Sequence, residues 1–128
     1  MKRCLLDSSF IIDLFNEIAD RRRGPAHEWA EANPAAELWV SPVTFAEVLE
    51  GAIDADAVRA AFRAFRWQVI GHQHAERVAL LQRRAAERMG ENDAWQAAVA
   101  DIMQATVVGH DPKAFSRLGT RYEDHRAP

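Results

Sequence analysis

Hydrophobic and polar positions divide the chain into short apolar runs and longer stretches with helical periodicity. Short apolar or β-branched runs bounded by turn residues predict strands, and apolar residues spaced three and four apart predict helices. The predicted strands are residues 3–6, 38–40, 67–70 and 106–108, with a marginal fifth at 121–122. Because strands alternate with helices, the pattern predicts an α/β fold with a parallel sheet covered on both faces.

The predicted helices begin at residues that favour helix N-termini. They start after Ser8-Ser9, near Ala26, after Ser41, after Asp54, at His72, at Asn92 or Asp93, and at Pro112. The fourth is expected to reach about Phe65, the last to reach Leu118, and the longest to run from His72 to Met89, with Gly90 as its stop. Residues 124–128 are predicted to form a frayed tail.

The composition favours one globular domain spanning residues 1–128. The chain is 48% hydrophobic and 27% charged, and its length suits a single core. Cys4 is the only cysteine, so no internal disulfide can form and a reducing setting is expected. No apolar stretch approaches the roughly 20 residues of a membrane span, so we expect a cytoplasmic protein.

The net charge of −3 argues against a purely electrostatic nucleic-acid binder, although the basic residues are clustered. Each cluster has two interpretations: a surface that holds a phosphate backbone, or an ordinary solvated helix face. The clusters are Arg21-Arg22-Arg23; Arg59, Arg63 and Arg66; and Arg83, Arg84 and Arg88.

Four acidic residues lie where an acidic pocket would need them. Asp7 ends the first predicted strand, Asp111 follows the fourth, and Glu47 and Asp93 lie near the starts of helical segments. In an open parallel sheet, ligands bind outside the carboxyl ends of the strands. Carboxylates gathered there, without a cysteine or histidine cage, predict a site for a hard cation such as Mg²⁺ or Mn²⁺.

Each of these acids also has an ordinary structural explanation. Asp7 and Asp93 are suitable helix caps, and a lone glutamate such as Glu47 usually lies on a solvated face. Asp13 is expected to be solvated. Asp101 lies about 12 Å along the helix from Asp93, too far to share one metal with it. The histidines lack zinc-site spacing, and neither a Gly-rich phosphate loop nor G-x-S-x-G is present.

Taken in order, four segments resemble the PIN-domain family, and specifically the VapC toxins of bacterial toxin–antitoxin pairs. Each segment is weakly diagnostic by itself, whereas the ordered set covers essentially the whole chain. The segments are Leu5-Leu6-Asp7-Ser8-Ser9-Phe10-Ile11-Ile12-Asp13, Phe45-Ala46-Glu47-Val48-Leu49-Glu50-Gly51, Asn92-Asp93-Ala94-Trp95-Gln96-Ala97-Ala98 and Val107-Val108-Gly109-His110-Asp111-Pro112-Lys113-Ala114-Phe115.

The resemblance implies a three-layer α/β/α sandwich with a parallel sheet of four or five strands, and endoribonuclease activity that depends on Mg²⁺, with Mn²⁺ as a substitute. It places Asp7 and Asp93 as the main metal ligands, and Glu47 and Asp111 as additional or water-mediated ligands. The supporting residues would be Ser8, Ser9 and Asn92. The chain departs from the family at Gly109-His110, where relatives often carry a hydroxyl residue.

The resemblance also implies three partners: an RNA substrate, a VapB-like antitoxin whose tail enters the acidic groove, and a second copy of the chain. We expect the homodimer to use helices near Phe62 and Phe65. An alternative is a catalytically weak or inactive PIN-like module that mainly binds a partner. A phosphatase of the haloacid-dehalogenase type has less support, because Ser9 stands where that chemistry needs a second aspartate.

Overall fold

Five parallel strands form one sheet. The computed structural model describes residues 2–128. The strands are β1 (Arg3–Leu6), β2 (Glu37–Val40), β3 (Arg66–Trp67), β4 (Thr106–Gly109) and β5 (Tyr122–Asp124). Their spatial order is β3-β2-β1-β4-β5. The chain therefore moves outward in one direction from β1 to β3, and then returns to the other side of β1 for β4 and β5.

Within the described residues, seven α-helices and one 3₁₀ helix connect the strands. They are α1 (Ser8–Ala19), α2 (Pro25–Ala32), α3 (Pro42–Glu50), α4 (Ala55–Phe62), α5 (His72–Arg84), α6 (Glu91–Met103), α7 (Pro112–Phe115) and the 3₁₀ helix Ser116–Arg121. The predicted start signals of α3, α4 and α7 are confirmed: Pro42 and Pro112 open α3 and α7, and Asp54 caps α4. Helix α1 begins at Ser8 with Asp7 as its cap rather than after Ser8-Ser9, and α2 begins at Pro25, one residue before Ala26.

Successive side chains of β1 enter opposite cores. Cys4 and Leu6 pack with residues of α1 to α4, whereas Leu5 packs with Val99 and Phe115 from α6 and α7. This alternation follows from the two-residue period of a strand, and burying each leucine contributes about 1.5–3 kcal/mol. The predicted three-layer α/β/α sandwich with a parallel sheet of four or five strands is confirmed.

The sheet's topology decides where a ligand can bind. Leu5 of β1 is in register with Trp39 of β2 and with Val107 of β4. The connections leaving β1 and β4 run to opposite sides of the sheet, and a crevice opens at the carboxyl end of such a switch point. Asp7 and Asp111 each follow one of these two strands.

The end of α5 differs from its prediction, because the helix stops at Arg84 rather than Met89. Ala85 has extended backbone angles, and the chain then turns back. The side chain of Gln82 accepts a hydrogen bond from the Met89 N–H and donates one to the Met89 carbonyl. Met89 still reaches the core beside Val78, so its apolar character reflects packing by a loop rather than a longer helix.

Other element ends also shift. Helix α4 ends at Phe62 rather than Phe65, because the next residues form turns whose N–H groups bond three residues back before entering β3. Strand β3 covers only Arg66–Trp67, since β2 offers it just two paired positions. The last helix ends at Phe115 and continues as the 3₁₀ helix, and β5 runs over Tyr122–Asp124 rather than 121–122.

The predicted frayed tail is wrong for its first residues. Asp124 ends β5, and His125 is only 5% exposed, with its ring packed edge-on against Phe10 at 5.0 Å. His125 Nε2 contacts Asp13 Oδ2 at 2.7 Å, and the Arg126 guanidinium donates to both oxygens of Asp13. Asp13 is therefore the anchor of the C-terminal segment rather than a solvated residue.

Phe62 is 1% exposed and packs against Phe45 and Phe65, so this side chain belongs to the core, and a homodimer through the helices near it stays a prediction. Each helix within residues 2–128 is too short or too polar to span a bilayer.

Candidate acidic active site

Asp7 connects β1 to α1. Its carboxylate caps α1, and Oδ2 accepts hydrogen bonds from the Ser9 N–H at 3.3 Å and the Ser9 hydroxyl at 2.7 Å. The side chain is 7% exposed. A buried carboxylate with so few donors is costly unless a further partner or a cation compensates its charge.

Asp111 occupies the corresponding place after β4. It caps α7 by accepting the Ala114 N–H at 3.1 Å, and its own N–H donates to the Tyr122 hydroxyl at 3.2 Å. The Ser9 hydroxyl, which donates to Asp7, also accepts the His110 N–H at 2.8 Å. One serine therefore connects the two strand ends and supplies a hydroxyl group beside Gly109-His110, the stretch that lacks one.

Glu47 and Asp93 approach from α3 and the first turn of α6. Both are partly buried, and together with Asn92 and Asp111 they line one open cleft, which we call the acidic cleft. Asp7 lies within electrostatic range of the other three carboxylates. Three of the four predicted acids thus line one cleft beside the carboxyl ends of β1 and β4, and Asp7 interacts electrostatically with all three.

A buried polar network holds these elements in place. Gln96 is 1% exposed and donates to the Leu6 carbonyl at 3.2 Å and to the Thr44 hydroxyl at 2.9 Å, while it accepts from the Ser41 hydroxyl at 2.9 Å. Thr44 also donates to the Leu6 carbonyl. Gln96 therefore links α6, the start of α3 and the end of β1.

Sequence reasoning missed this role of Gln96. The available signal was a long polar side chain among small apolar residues, three positions after Asp93 on the same helix face.

Burial and mutual repulsion raise the pKa of three of the carboxylates. Burial raises the pKa of Asp7 more than the hydrogen bonds from Ser9 and Ser8 lower it, and the negative charge of Asp111 raises it further. Burial and the charge of Asp7 raise the pKa of Glu47, whereas the hydrogen bond from the Asn92 side chain lowers it by less. Burial and the charges of Asp111 and Asp7 raise the pKa of Asp93. A bound cation would relieve this repulsion.

The donor set fits a hard divalent cation, since all four side chains offer carboxylate oxygens. Within residues 2–128, however, no three acidic, histidine or cysteine side chains are close enough to form a ready-made metal cage. Mg²⁺ keeps several of its waters and needs only one or two carboxylates from the protein. A hydrated ion held by two of these acids is compatible with both observations.

The remaining charged candidates have other partners. Asp101 pairs with Arg77 and Arg121, away from the acidic cleft. Of the three basic clusters, only the third contributes a residue, Arg88, to the surroundings of Asp93 and Asp111. Lys113 and Arg117, which sequence reasoning did not single out, lie there as well.

Fold and site together define a small α/β protein with an acidic cleft at the switch point of a parallel sheet. The family model described as PIN domain matches residues 4–120. The chain therefore belongs to the PIN domain family. No curated protein matches it.

Solved structures similar to this chain include several toxin–antitoxin proteins. A chain of a toxin–antitoxin complex from Klebsiella pneumoniae is 25% identical, with a TM-score of 0.78, and the match covers 95% of this chain and 97% of that chain. A VapBC chain from nontypeable Haemophilus influenzae is 20% identical, with a TM-score of 0.73 and coverage of 98% and 99%. A VapC toxin from Mycobacterium tuberculosis that cleaves the sarcin-ricin loop is 21% identical, with a TM-score of 0.67 and coverage of 91% and 95%.

Proposed function

We propose that this protein is a divalent-metal-dependent endoribonuclease that serves as the toxin of a type II toxin–antitoxin pair. The observation that carries the proposal is the convergence of four carboxylates from β1, α3, α6 and β4. Membership in the PIN domain family supports a nuclease, and the likeness to a toxin–antitoxin complex supports the toxin role.

In this proposal, Asp7 and Asp93 hold Mg²⁺, or Mn²⁺ in its place, and Glu47 and Asp111 hold it directly or through water. The chemistry that such a cation supplies when bound is activation of water and neutralisation of charge on the phosphate. Ser9 fixes the orientation of Asp7, and Gln96 fixes the distance between α6 and β1. Ser8 and Asn92, beside Glu47, provide further polar groups for bound water.

Cleavage of a mixed RNA pool by purified protein, freed of any bound partner, tests this proposal. We expect cleavage with Mg²⁺ or Mn²⁺, none with EDTA, and none by the Asp7→Asn and Asp93→Asn variants in Mg²⁺. Asp54→Asn is the matched control, because Asp54 also caps a helix but lies outside the acidic cleft.

Thermal unfolding shows whether each variant is folded. Metal-independent cleavage, or cleavage that persists in both folded variants, would contradict the proposed site. If the folded protein cleaves no RNA in any lane, but binds RNA or a partner protein, the binding-only alternative replaces the nuclease.

An antitoxin is the second part of the proposal, and an exposed apolar surface supports a protein partner. Ile12, Ile18 and Ile53 are 45%, 58% and 105% exposed, and with Phe15 and Val58 they line two adjoining cavities of about 390 and 280 Å³ between α1 and α4. Apolar patches of this kind mark interaction sites. The antitoxin tail would then reach the acidic cleft, where an arginine would pair with the carboxylates.

Ile18→Glu tests the antitoxin surface. The substitution places a charge in the apolar patch, so we expect it to weaken binding of the antitoxin at least tenfold while RNA cleavage is retained. Glu28→Gln, on the exposed face of α2, is the control. Unchanged affinity of a folded Ile18→Glu variant would remove this surface from the proposal.

A homodimer is the remaining part of the proposal. Because the Phe62 side chain lies in the core, the exposed apolar residues at or beside the edge strand β3 are better candidates for the dimer contact. Trp67 is 39% exposed and Val69 is 70% exposed. Analytical ultracentrifugation of the wild type and of Val69→Asp tests this. We expect a dimer that the substitution weakens, and a monomeric wild type would contradict it.

A further inference from the structure

A cavity of about 310 Å³ adjoins the acidic cleft and shares Asp93 and Asp111 with it. Three cationic side chains, Arg88, Lys113 and Arg117, also line this cavity, together with the exposed Glu87. They come from two separate parts of the chain, the α5–α6 loop and the segment formed by α7 and the 3₁₀ helix. We call this opening the cationic cavity.

Two of these three cations form no ion pair that would help to stabilise the fold. Within residues 2–128, neither Lys113 nor Arg117 has an acidic partner within ion-pair distance, although Asp111 and Asp93 line the same cavity. Most other basic residues are paired; Arg77 and Arg121, for example, contact Asp101. Arg88 contacts Glu91 at 3.1 Å, but both side chains are mostly exposed, so this pair is weak and easily exchanged for another partner.

Because both carboxylates and cations line the cavity, it suits a ligand that binds a metal cation through one group and offers a negatively charged group to the basic side chains. A polynucleotide has this property, because phosphates follow one another along its backbone. Met89 and Ala114, which also line the cavity, are mostly buried and add an apolar surface between the charges. A free phosphate ion would interact only with the three cationic side chains.

We propose that Arg88, Lys113 and Arg117 bind the RNA backbone phosphate next to the scissile one, and so set the strand across the acidic cleft. This inference rests on the proposed ribonuclease function and names a substrate contact of the same site. Contacts to phosphate position the strand without reading its sequence. Their loss should weaken binding of all RNAs alike.

The experiment compares two double variants that remove the same charge. Lys113→Gln/Arg117→Gln removes two of the three cations that line the cavity, whereas Arg21→Gln/Arg63→Gln removes two exposed arginines that line neither opening. Both are made in an Asp7→Asn background, and a gel verifies that the RNA stays intact. Binding of a labelled random-sequence single-stranded RNA of about 12 nucleotides is measured by fluorescence anisotropy across a salt series.

We expect Lys113→Gln/Arg117→Gln to raise Kd about tenfold and to lower the slope of log K against log salt by about 0.7, since these side chains neutralise one phosphate and each single-strand phosphate contributes about 0.7. The control should change Kd less than about twofold. Equal effects of the two double variants would overturn the inference, because net charge alone would then explain them. If the double variant fails to fold, the single variant Arg117→Gln replaces it in the binding measurement.

The outcomes separate this inference from the proposed function. If the wild type cleaves RNA but Lys113→Gln/Arg117→Gln binds RNA as the control does, only the cationic cavity is overturned. If Lys113→Gln/Arg117→Gln loses RNA binding, the control does not, and the wild type cleaves no RNA, the phosphate contact is supported and the proposed ribonuclease activity is contradicted. If it loses affinity for the antitoxin rather than for RNA, the cations belong to the protein partner and the inference is overturned.

Discussion

Gly109 lies against Asp7 so closely that no side chain fits between them. A Cβ at Gly109 would come within 2.7 Å of both the Asp7 Cβ and the Ser9 Oγ. The absence of a hydroxyl residue at this position is therefore a steric requirement of the packing between β4 and the end of β1. The hydroxyl that binds Asp7 comes from Ser9 on α1 instead.

Replacing Gly109 with alanine should both destabilise the protein and displace Asp7. We expect a loss of about 1–3 kcal/mol in the free energy of unfolding, which is typical of overpacking in a well-packed site. Metal-dependent cleavage should fall with it, because the Ser9–Asp7 hydrogen bond is disturbed. Urea denaturation and the RNA assay measure the two effects.

Gly51→Ala is the matched control, because a Cβ at Gly51 meets nothing within 4 Å. It should leave stability within about 1 kcal/mol of the wild type or raise it slightly, by restricting the unfolded chain. Equal behaviour of the two variants would contradict the steric explanation.

The junction of α1 and α2 depends on one buried carboxylate. Glu17 is 1% exposed and accepts the N–H groups of Gly24, Ala26 and His27 at 3.0–3.1 Å, and its Oε1 contacts His27 Nδ1 at 2.7 Å. Gly24 does not cap α2 with a side chain, so Glu17 satisfies the free donors of this helix from another element. Burial opposes ionisation, but these hydrogen bonds outweigh it and lower the pKa of Glu17.

The lowered pKa makes the contribution of Glu17 dependent on pH. A carboxyl group whose pKa is lower in the folded than in the unfolded state stabilises the fold above the unfolded pKa, and this stabilisation is lost as the pH falls through the folded pKa. Glu17→Gln should therefore cost about 1–3 kcal/mol at pH 7. The difference from the wild type should shrink at pH values below the usual 4.5 of glutamate.

Chemical denaturation at several pH values measures this difference, with Glu28→Gln on α2 as the exposed control. A difference that stays constant down to the lowest pH at which the protein folds would contradict the electrostatic explanation.

For the molecule as a whole, the raised pKa values of Asp7, Glu47 and Asp93 indicate an unfavourable cluster of charge that a cation should relieve. An ion that binds only the folded state stabilises it by about 2.7 kcal/mol at a concentration one hundred times its Kd. Mg²⁺ should therefore raise the melting temperature in a concentration-dependent way, and Asp93→Asn should abolish the increase. Differential scanning fluorimetry measures both.

Glu50→Gln controls for a general salt effect, because Glu50 is exposed on α3 close to Glu47. It should respond to Mg²⁺ as the wild type does. A wild type without any Mg²⁺ response would contradict the metal site.

The C-terminal segment holds the two ends of the fold together, since His125 and Arg126 both bond to Asp13 of α1. Removing residues 125–128 should cost about 2–4 kcal/mol through loss of the bonds to a charged group and of the contact with Phe10. Removing only Ala127 and Pro128, which are exposed, should have little effect. Thermal unfolding compares the two, and equal stability of both truncations would contradict the anchor.

The sequence by itself determined the class of fold and drew attention to the four acids. Apolar runs such as Cys4-Leu5-Leu6 and the helix signals at Ser41-Pro42 and Asp54 act locally, through backbone geometry and side-chain period, so they can be recognised without tertiary contacts. Strand order could not be derived this way, yet the positions of Asp7 and Asp111 directly after strands were enough to predict that they meet at one edge of the sheet.

Only the tertiary structure decided the features that depend on residues far apart in the sequence. Gln96 bonds to the end of β1, Gln82 holds Met89 in a loop, and Asp13 anchors a segment that composition alone predicts to be frayed. Lys113 and Arg117 line the same cavity as Arg88, which lies in a separate loop, and only the fold brings these three residues together. Burial and long-range hydrogen bonds set the cost of leaving each polar group unpaired, and neither can be read from local sequence.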